Sequence, residues 1–215
     1  SNARNALENS IKIAIVVTII SVILGTMSAL ALERFTFKGK RVFDALLYLP
    51  IIIPDVTMAV MLLLFFGEFF EILDNLFGIQ LRKGFWSISI SHIAFNISFV
   101  SVVVRARLAG MSTDLEEAAV DLYASRWKAF RHVTFPQILP GIAGGALLAM
   151  TLSLDDVVIT QFVAGPGWTT LPVYVFGLIR KGVTPLINSI SVIMLVSSML
   201  LVGLSLLAER TRRGG

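Results

Sequence analysis

Two adjacent carboxylates inside an apolar run are the first chemical signal in this sequence. Asp155 and Asp156 fall near the middle of the stretch 142–163, and Asp55 follows Pro54 inside another. A bare carboxylate at mid-bilayer depth costs about 2.5–3.5 kcal/mol on insertion scales, so such a group faces a water-filled path or a partner charge. Either acid could attract a cation. Carboxylates pair with ammonium groups, and an aromatic face such as that of Trp168 covers the methylene stem between them. Neighbouring positions on one helix point about 100° apart. One of Asp155 and Asp156 should therefore line a path and the other hold its helix to a neighbour. Asp55, directly after a proline, reads more readily as a helix cap, and Trp86 and Trp168 as interfacial anchors.

Other chemistries are excluded by composition. The chain has no cysteine and only two histidines, His92 and His132, so thiol chemistry and a His-rich metal centre are not expected. No phosphate-binding loop of the G-x-x-x-x-G-K-[ST] type occurs, so any ATP must be hydrolysed elsewhere. No serine or threonine nucleophile has a histidine at a believable depth. His92, with Asn96 one turn on, suggests interhelical hydrogen bonding rather than a proton relay. The net charge of +4 suits cytoplasmic loops of a membrane protein better than a nucleic-acid partner.

The elements that must carry these residues are long and apolar. Hydrophobic residues make up 56% of the chain and charged residues 15%, against about 25% charged in soluble domains. Five stretches approach the roughly 20 residues needed to cross a bilayer: 13–32, 43–66, 85–104, 142–163 and 186–208. Pro50 and Pro54 kink the second or break its start. Ser21 and Gly25 form a small-xxx-small pair suited to helix packing. Residues 67–84 read as a short external loop, and 160–185 as a second one holding an apolar piece, 171–179, too short to span. Placing the loop after the first span inside puts twelve lysines and arginines on that side and six on the other, so the N-terminus is expected outside and the C-terminus inside.

The inside segment 106–140 is amphipathic, neither apolar enough to span nor rich in linker residues. Ser112 or Thr113 followed by Glu116 is a capping-box pattern. Glu116, Glu117 and Asp121 suit the dipole at the start of a helix. Ser125 is placed to cap a second short helix bearing Trp127, Phe130 and Val133, which Pro136 should end. The expectation is a helix–turn–helix knob under the membrane, shaped to dock a partner.

This segment resembles the EAA loop of ABC-importer permeases. Glu117, Ala118, Ala119, Val133 and Pro136 match in register, whereas Tyr123 stands where that family has glycine and Phe135 where it usually has leucine. Tyr123 is expected to continue the helix, with the bend moved towards Ser125. The resemblance implies that Glu117, Ala118, Ala119, Asp121, Tyr123, Phe130, Val133 and Pro136 couple to a cytoplasmic ATPase. The runs Leu152-Ser153-Leu154-Asp155-Asp156-Val157-Val158 and Phe162-Val163-Ala164-Gly165-Pro166-Gly167 look like the spermidine/putrescine permeases, as do Gly84-Phe85-Trp86 and Ser91-His92-Ile93. The implied protein is an all-α integral membrane subunit of a bacterial cytoplasmic (inner) membrane, multi-pass with its C-terminus cytoplasmic. The family has six spans, of which five are expected here and the first N-terminal one is missing. Residues 1–215 then form one permease domain, with 106–140 its coupling loop. Its partners would be a second permease, two ATPase subunits, an external binding protein and the bilayer. No cofactor binds this chain directly; ATP and Mg serve the ATPase. Substrate-pathway roles are expected for Asp155, Asp156, Asp55 and Trp168, with a polyamine as cargo because the buried charges are acidic. The rival readings are a permease for thiamine, an opine or a metal chelate, and a secondary carrier or channel, which would need no EAA loop.

Overall fold

The computed structural model describes residues 2–112 and 114–180, with single positions 189, 192, 193, 195, 196 and 199. The described residues form helices and connections, without strands. The expected fifth span, 186–208, falls almost wholly outside them, as do Thr113, the 182–185 turn and Asn188. Residues 1–173 make one compact unit and 174–215 a second.

The first unit is built round two long helices, α1 (Asn2–Arg34) and α4 (Phe85–Ala109). On α1 the buried positions Ser10, Ile13, Ala14, Val17, Ser21, Gly25, Ala29 and Leu32 recur every three or four residues, which makes one stripe. That stripe is small-residue-rich where the helices come closest. A Cβ on Gly25 would lie 2.7 Å from Val100 Cβ of α4, and one on Gly145 would lie 3.2 Å from Val100 Cγ1. Val100 is thus held between two glycines, one on α1 and one on α7 (Phe135–Asp155). Lipid offers no hydrophobic drive for helix association, so such close backbone approach supplies the attraction as dispersion. The Ser21–Gly25 pair packs helices, as its spacing suggests.

Two of the expected spans are broken, the second at one of the prolines that pointed to a break and the fourth without such a signal. The second separates into α2 (Lys40–Ile52) and α3 (Asp55–Phe77) at Ile53-Pro54, because proline cannot donate into the ladder and restricts the residue before it. Pro50 stays inside α2. Asp55 is not the cap: Pro54 holds that position, with no side-chain cap bond, and Asp55 sits in the first turn. The loop expected at 67–84 is mostly helix, since α3 runs to Phe77 and stops at Gly78 with φ +66°. Glu68, Glu71 and Asp74 therefore lie on α3. The fourth span ends at Asp155; α8 (Val158–Val163) follows as a separate short helix.

Two apolar clusters match the two ends of this bundle. Ile13 and Val17 of α1, Met58 and Phe66 of α3, Ile88 and Phe95 of α4, and Ile159 and Val163 of α8 form one. Ala29, Val100, Val104, Leu108, Ile138 and Ala149 form the other, where α1, α4 and α7 meet. In the second unit, the Arg180 guanidinium at the end of α9 (Leu171–Arg180) lies 5.1 Å from the centroid of the Phe176 ring. The apolar piece expected at 171–179 is this helix.

Candidate functional site

The segment expected to dock a partner holds two short helices joined by a left-handed turn. Ser112 Oγ accepts the Asp114 N–H at the start of α5 (Asp114–Asp121), and Ser125 Oγ accepts the Lys128 N–H at the start of α6 (Arg126–Ala129). Ser125 caps the second helix as the sequence suggests. Thr113, three residues before Glu116, lies outside the described residues. The Glu116 carboxylate accepts from Arg34 Nη2 at 2.8 Å and from the Thr134 hydroxyl, which ties α5 to the end of α1 and to the entry of α7. No local pattern pairs residues 82 positions apart, so sequence reasoning missed Arg34 and Thr134. Arg105 Nε similarly donates to Glu33 at 2.8 Å, and its Nη1 donates to Asp44 on α2.

Tyr123 departs from its expected role. It does not continue α5; it adopts φ +61° and makes the turn itself, in the conformation glycine favours. A left-handed residue with a Cβ costs about 1–2 kcal/mol. The Tyr123 ring is 99% exposed, so nothing in this chain repays that strain by burying it. Leu122, Trp127, Leu115 and Val120 are also exposed, whereas Phe130 is half-buried between Trp127 (5.6 Å, stacked) and Phe135 (6.2 Å). Glu117 and Ala118 face solvent, Asp121 and Pro136 are exposed, and Ala119 and Val133 are half-buried.

Pro136 does not end the second helix. Residues Phe130–Thr134 form a π-turn, and the chain runs on as one helical rod from Arg126 to Asp155. The wider turn accommodates the proline, which lacks an N–H and would clash with the carbonyl four residues back in a tight α-helix.

The acidic pair sits on a break rather than mid-helix, so the two carboxylates take separate roles. Asp155 is the last residue of α7 and Asp156 is its cap, with ψ 125°. Asp156 points back into the fold and starts α8: Oδ1 accepts the Ile159 N–H at 3.3 Å, and Oδ2 accepts the Thr160 N–H and hydroxyl at 2.7 Å each. The fully buried His92 of α4 meets the same group, with Nε2 3.2 Å from Asp156 Oδ2 and 3.0 Å from Thr160 Oγ1. A carboxylate only accepts, so Nε2 carries the hydrogen, and Nδ1 hydrogen-bonds with Ser153 Oγ at 2.9 Å. His92 therefore hydrogen-bonds between helices; Asn96 donates to the His92 carbonyl within its own helix instead. Ser153 and Thr160 were not foreseen, although Asp followed three and four residues later by helical N–H donors is a cap pattern. Asp155 is exposed, and its side chain has no hydrogen-bond or ion-pair partner among the described residues; the same holds for Asp55. Trp168 lies at the rim, its ring 5.1 Å from Phe85 and against Gly84.

Residues 21–210 match the family of binding-protein-dependent transport system inner membrane components. The chain belongs to this family. It is 37% identical over 210 residues to the spermidine/putrescine transport system permease protein PotC of Escherichia coli (strain K12), covering 98% of this chain and 76% of that protein. It is 41% identical over 192 residues to the putrescine transport system permease protein PotI of the same organism, covering 89% and 67%. A bacterial ABC transporter involved in the import of the acidic polysaccharide alginate shares the fold, with a TM-score of 0.77 at 18% identity over 94% of this chain and 76% of that one. The permease is thus a multi-pass membrane component of an ABC transport system, which works with an ATPase and a binding protein, and is itself a transport subunit rather than an enzyme. Four of its described helices are long and apolar enough to cross a membrane.

Proposed function

We propose that this permease passes a polyamine, putrescine or spermidine, inward by alternating access, paired with a second permease and driven by two ATPase subunits that use ATP and Mg. The bacterial cytoplasmic membrane is its site, with the knob and the C-terminus on the cytoplasmic side. The observation that carries the reading is the division of labour at the helix break. Asp156 is consumed by His92 and by the start of α8, while Asp155 stands beside it exposed and, among the described residues, unpaired. A free carboxylate at the end of a membrane helix is suited to an ammonium group. The names of PotC and PotI support the choice of cargo. Asp55 is a second acid for the pathway, also without a partner among the described residues. Trp168 acts as a rim anchor, since the cleft beside it is lined by Lys12, Arg82 and Lys83, which repel a cation. Glu117, Ala118, Ala119, Asp121, Tyr123, Phe130, Val133 and Pro136 form or shape the ATPase-facing knob.

A relative with a different cargo sharpens the test. The putative 2-aminoethylphosphonate transport system permease protein PhnV of Salmonella typhimurium is 31% identical over 180 residues. Uptake of labelled putrescine and spermidine by the reconstituted complex, with 2-aminoethylphosphonate as competitor, separates the two. ATP-dependent polyamine uptake that the phosphonate does not compete supports the proposal; uptake of neither polyamine overturns it.

A further inference from the structure

At the rim opposite the knob, an open cleft of about 870 Å³ is walled by Lys12, Ile15 and Val16 of α1, by Arg82 to Trp86, and by Pro166 and Trp168. Its charge is one-sided. Three cations line it and no carboxylate does. Among the described residues Arg82 and Lys83 have no ion-pair partner. Lys12 has only a distant one, Glu8 at 3.9 Å, and Glu8 is already bonded to Arg4 at 3.0 Å. The floor is apolar and faces outward from the bundle, with Ile15 and Trp86 exposed.

Depth on α1 fixes what can reach this cleft. Residues 13–32 carry no charge, and Lys12 and Arg34 close the run at its two ends. At 1.5 Å per residue they stand about 33 Å apart along the axis, close to the roughly 30 Å of a hydrocarbon core. Arg34 binds the knob, so Lys12 lies at headgroup level in the opposite leaflet. The two tryptophans lie at the same rim, where their amphipathic rings prefer to sit. We infer that the cleft is a binding site for an anionic phospholipid. Its phosphate is held by Lys12, Arg82 and Lys83, and an acyl chain lies along Ile15 and Val16 beside Trp86. A polyamine is repelled here, and a free phosphate would leave the apolar floor uncovered.

Native mass spectrometry of the assembled transporter, titrated with phosphatidylglycerol or phosphatidylcholine, tests the site. Each cation near a lipid phosphate is worth about fivefold in affinity, so Lys12→Gln/Arg82→Gln/Lys83→Gln should weaken phosphatidylglycerol binding about a hundredfold. The charge-keeping variant Lys12→Arg/Arg82→Lys/Lys83→Arg should retain it, and phosphatidylcholine should bind weakly throughout. If the triple neutral variant does not assemble, Arg82→Gln and Lys83→Gln singly decide, at about fivefold each. Equal phosphatidylglycerol binding by wild type and neutral variants overturns the site. So does displacement of the lipid by millimolar inorganic phosphate. Unchanged lipid binding with a lost response to the binding protein would assign the cations to an acidic protein surface instead, and overturns it too.

Discussion

At the residue scale, the permease spends strain and charge at two places. Tyr123 holds a left-handed backbone with its ring in solvent, so replacing it with glycine removes a steric cost without removing a buried contact. Tyr123→Gly should stabilise the purified subunit by about 0.5–1 kcal/mol after the extra unfolded-state entropy of glycine is counted, read by thermal unfolding. If transport falls while stability rises, the ring itself touches the ATPase. The two aspartates should separate in the same way. Asp155→Asn keeps the helix end and removes the charge, and should lower polyamine uptake about tenfold, the equivalent of one charge-assisted hydrogen bond, at unchanged membrane yield. Asp156→Ala removes the carboxylate that holds the start of α8 and takes one partner from His92, leaving it Thr160 and Ser153. It should cost about 0.5–2 kcal/mol in stability and show first as lost yield. Uptake unaffected in Asp155→Asn would remove that carboxylate from the pathway.

At the scale of elements, close packing sets what can be changed. A Cβ on Gly25 meets Val100 side-chain atoms at 2.7 and 2.8 Å, and one on Gly165 would sit 1.7 Å from the Lys83 carbonyl oxygen. Gly25→Ala should cost about 1–3 kcal/mol by overpacking α1 against α4, measured as lost thermal stability of the solubilised protein. Gly165→Ala meets fixed backbone rather than a movable side chain, so it should displace the 165–168 loop from the start of α4. That loop is otherwise clasped by Asn9 Nδ2, which donates to the Gly167 and Thr169 carbonyls at 3.0 and 3.2 Å. Accelerated proteolysis of the loop in Gly165→Ala would register the displacement, and unchanged cleavage would show that the loop adapts. The spans were legible because a 20-residue apolar run has few other readings. The breaks were less so. Ile53-Pro54 announced itself by proline, but the end at Asp155 has neither glycine nor proline, only a cap donor network that closes through His92 on another helix. The π-turn was illegible for a related reason: proline predicts a break in an α-helix, and a locally wider turn is the alternative that tertiary context selects.

At the scale of the whole molecule, the helix–turn–helix knob is held, among the described residues, by one long-range ion pair, Glu116–Arg34, and a hydrogen bond from Thr134 rather than by a buried core. Glu116 joins α5 to α1 and to Thr134, and Asp114, Glu116 and Glu117 in its first turn suit the helix start. Glu117 is left exposed, free to meet a partner. Glu117→Lys places a cation at that helix start and on the docking face, and should abolish ATPase association with the permease still inserted. Co-purification of the ATPase with the membrane fraction measures it, and normal association in the variant would take Glu117 out of the interface. The location of the knob between spans was legible from its motif and amphipathicity. Its anchoring to Arg34 was not, because it depends on which helix ends the fold brings together.

The uninterrupted run from Arg126 to Asp155 also makes a mechanical statement. Thirty helical residues at 1.5 Å each form a strut about 45 Å long, far stiffer along its axis than any chain of side-chain contacts. One end carries Trp127 of the knob and the other the free carboxylate. With the ATPase docked at the knob as proposed above, a push received there would reach the acid as a rigid displacement, with no intermediate relay to mistime it. Spin labels at positions 128 and 151 should keep one separation, within about a helical rise per residue, through every nucleotide state of the transporter. Distances from either label to α3 should change between those states. A label pair on the strut that lengthens or shortens with ATP would show that the π-turn flexes, and that the stroke is absorbed before it reaches Asp155.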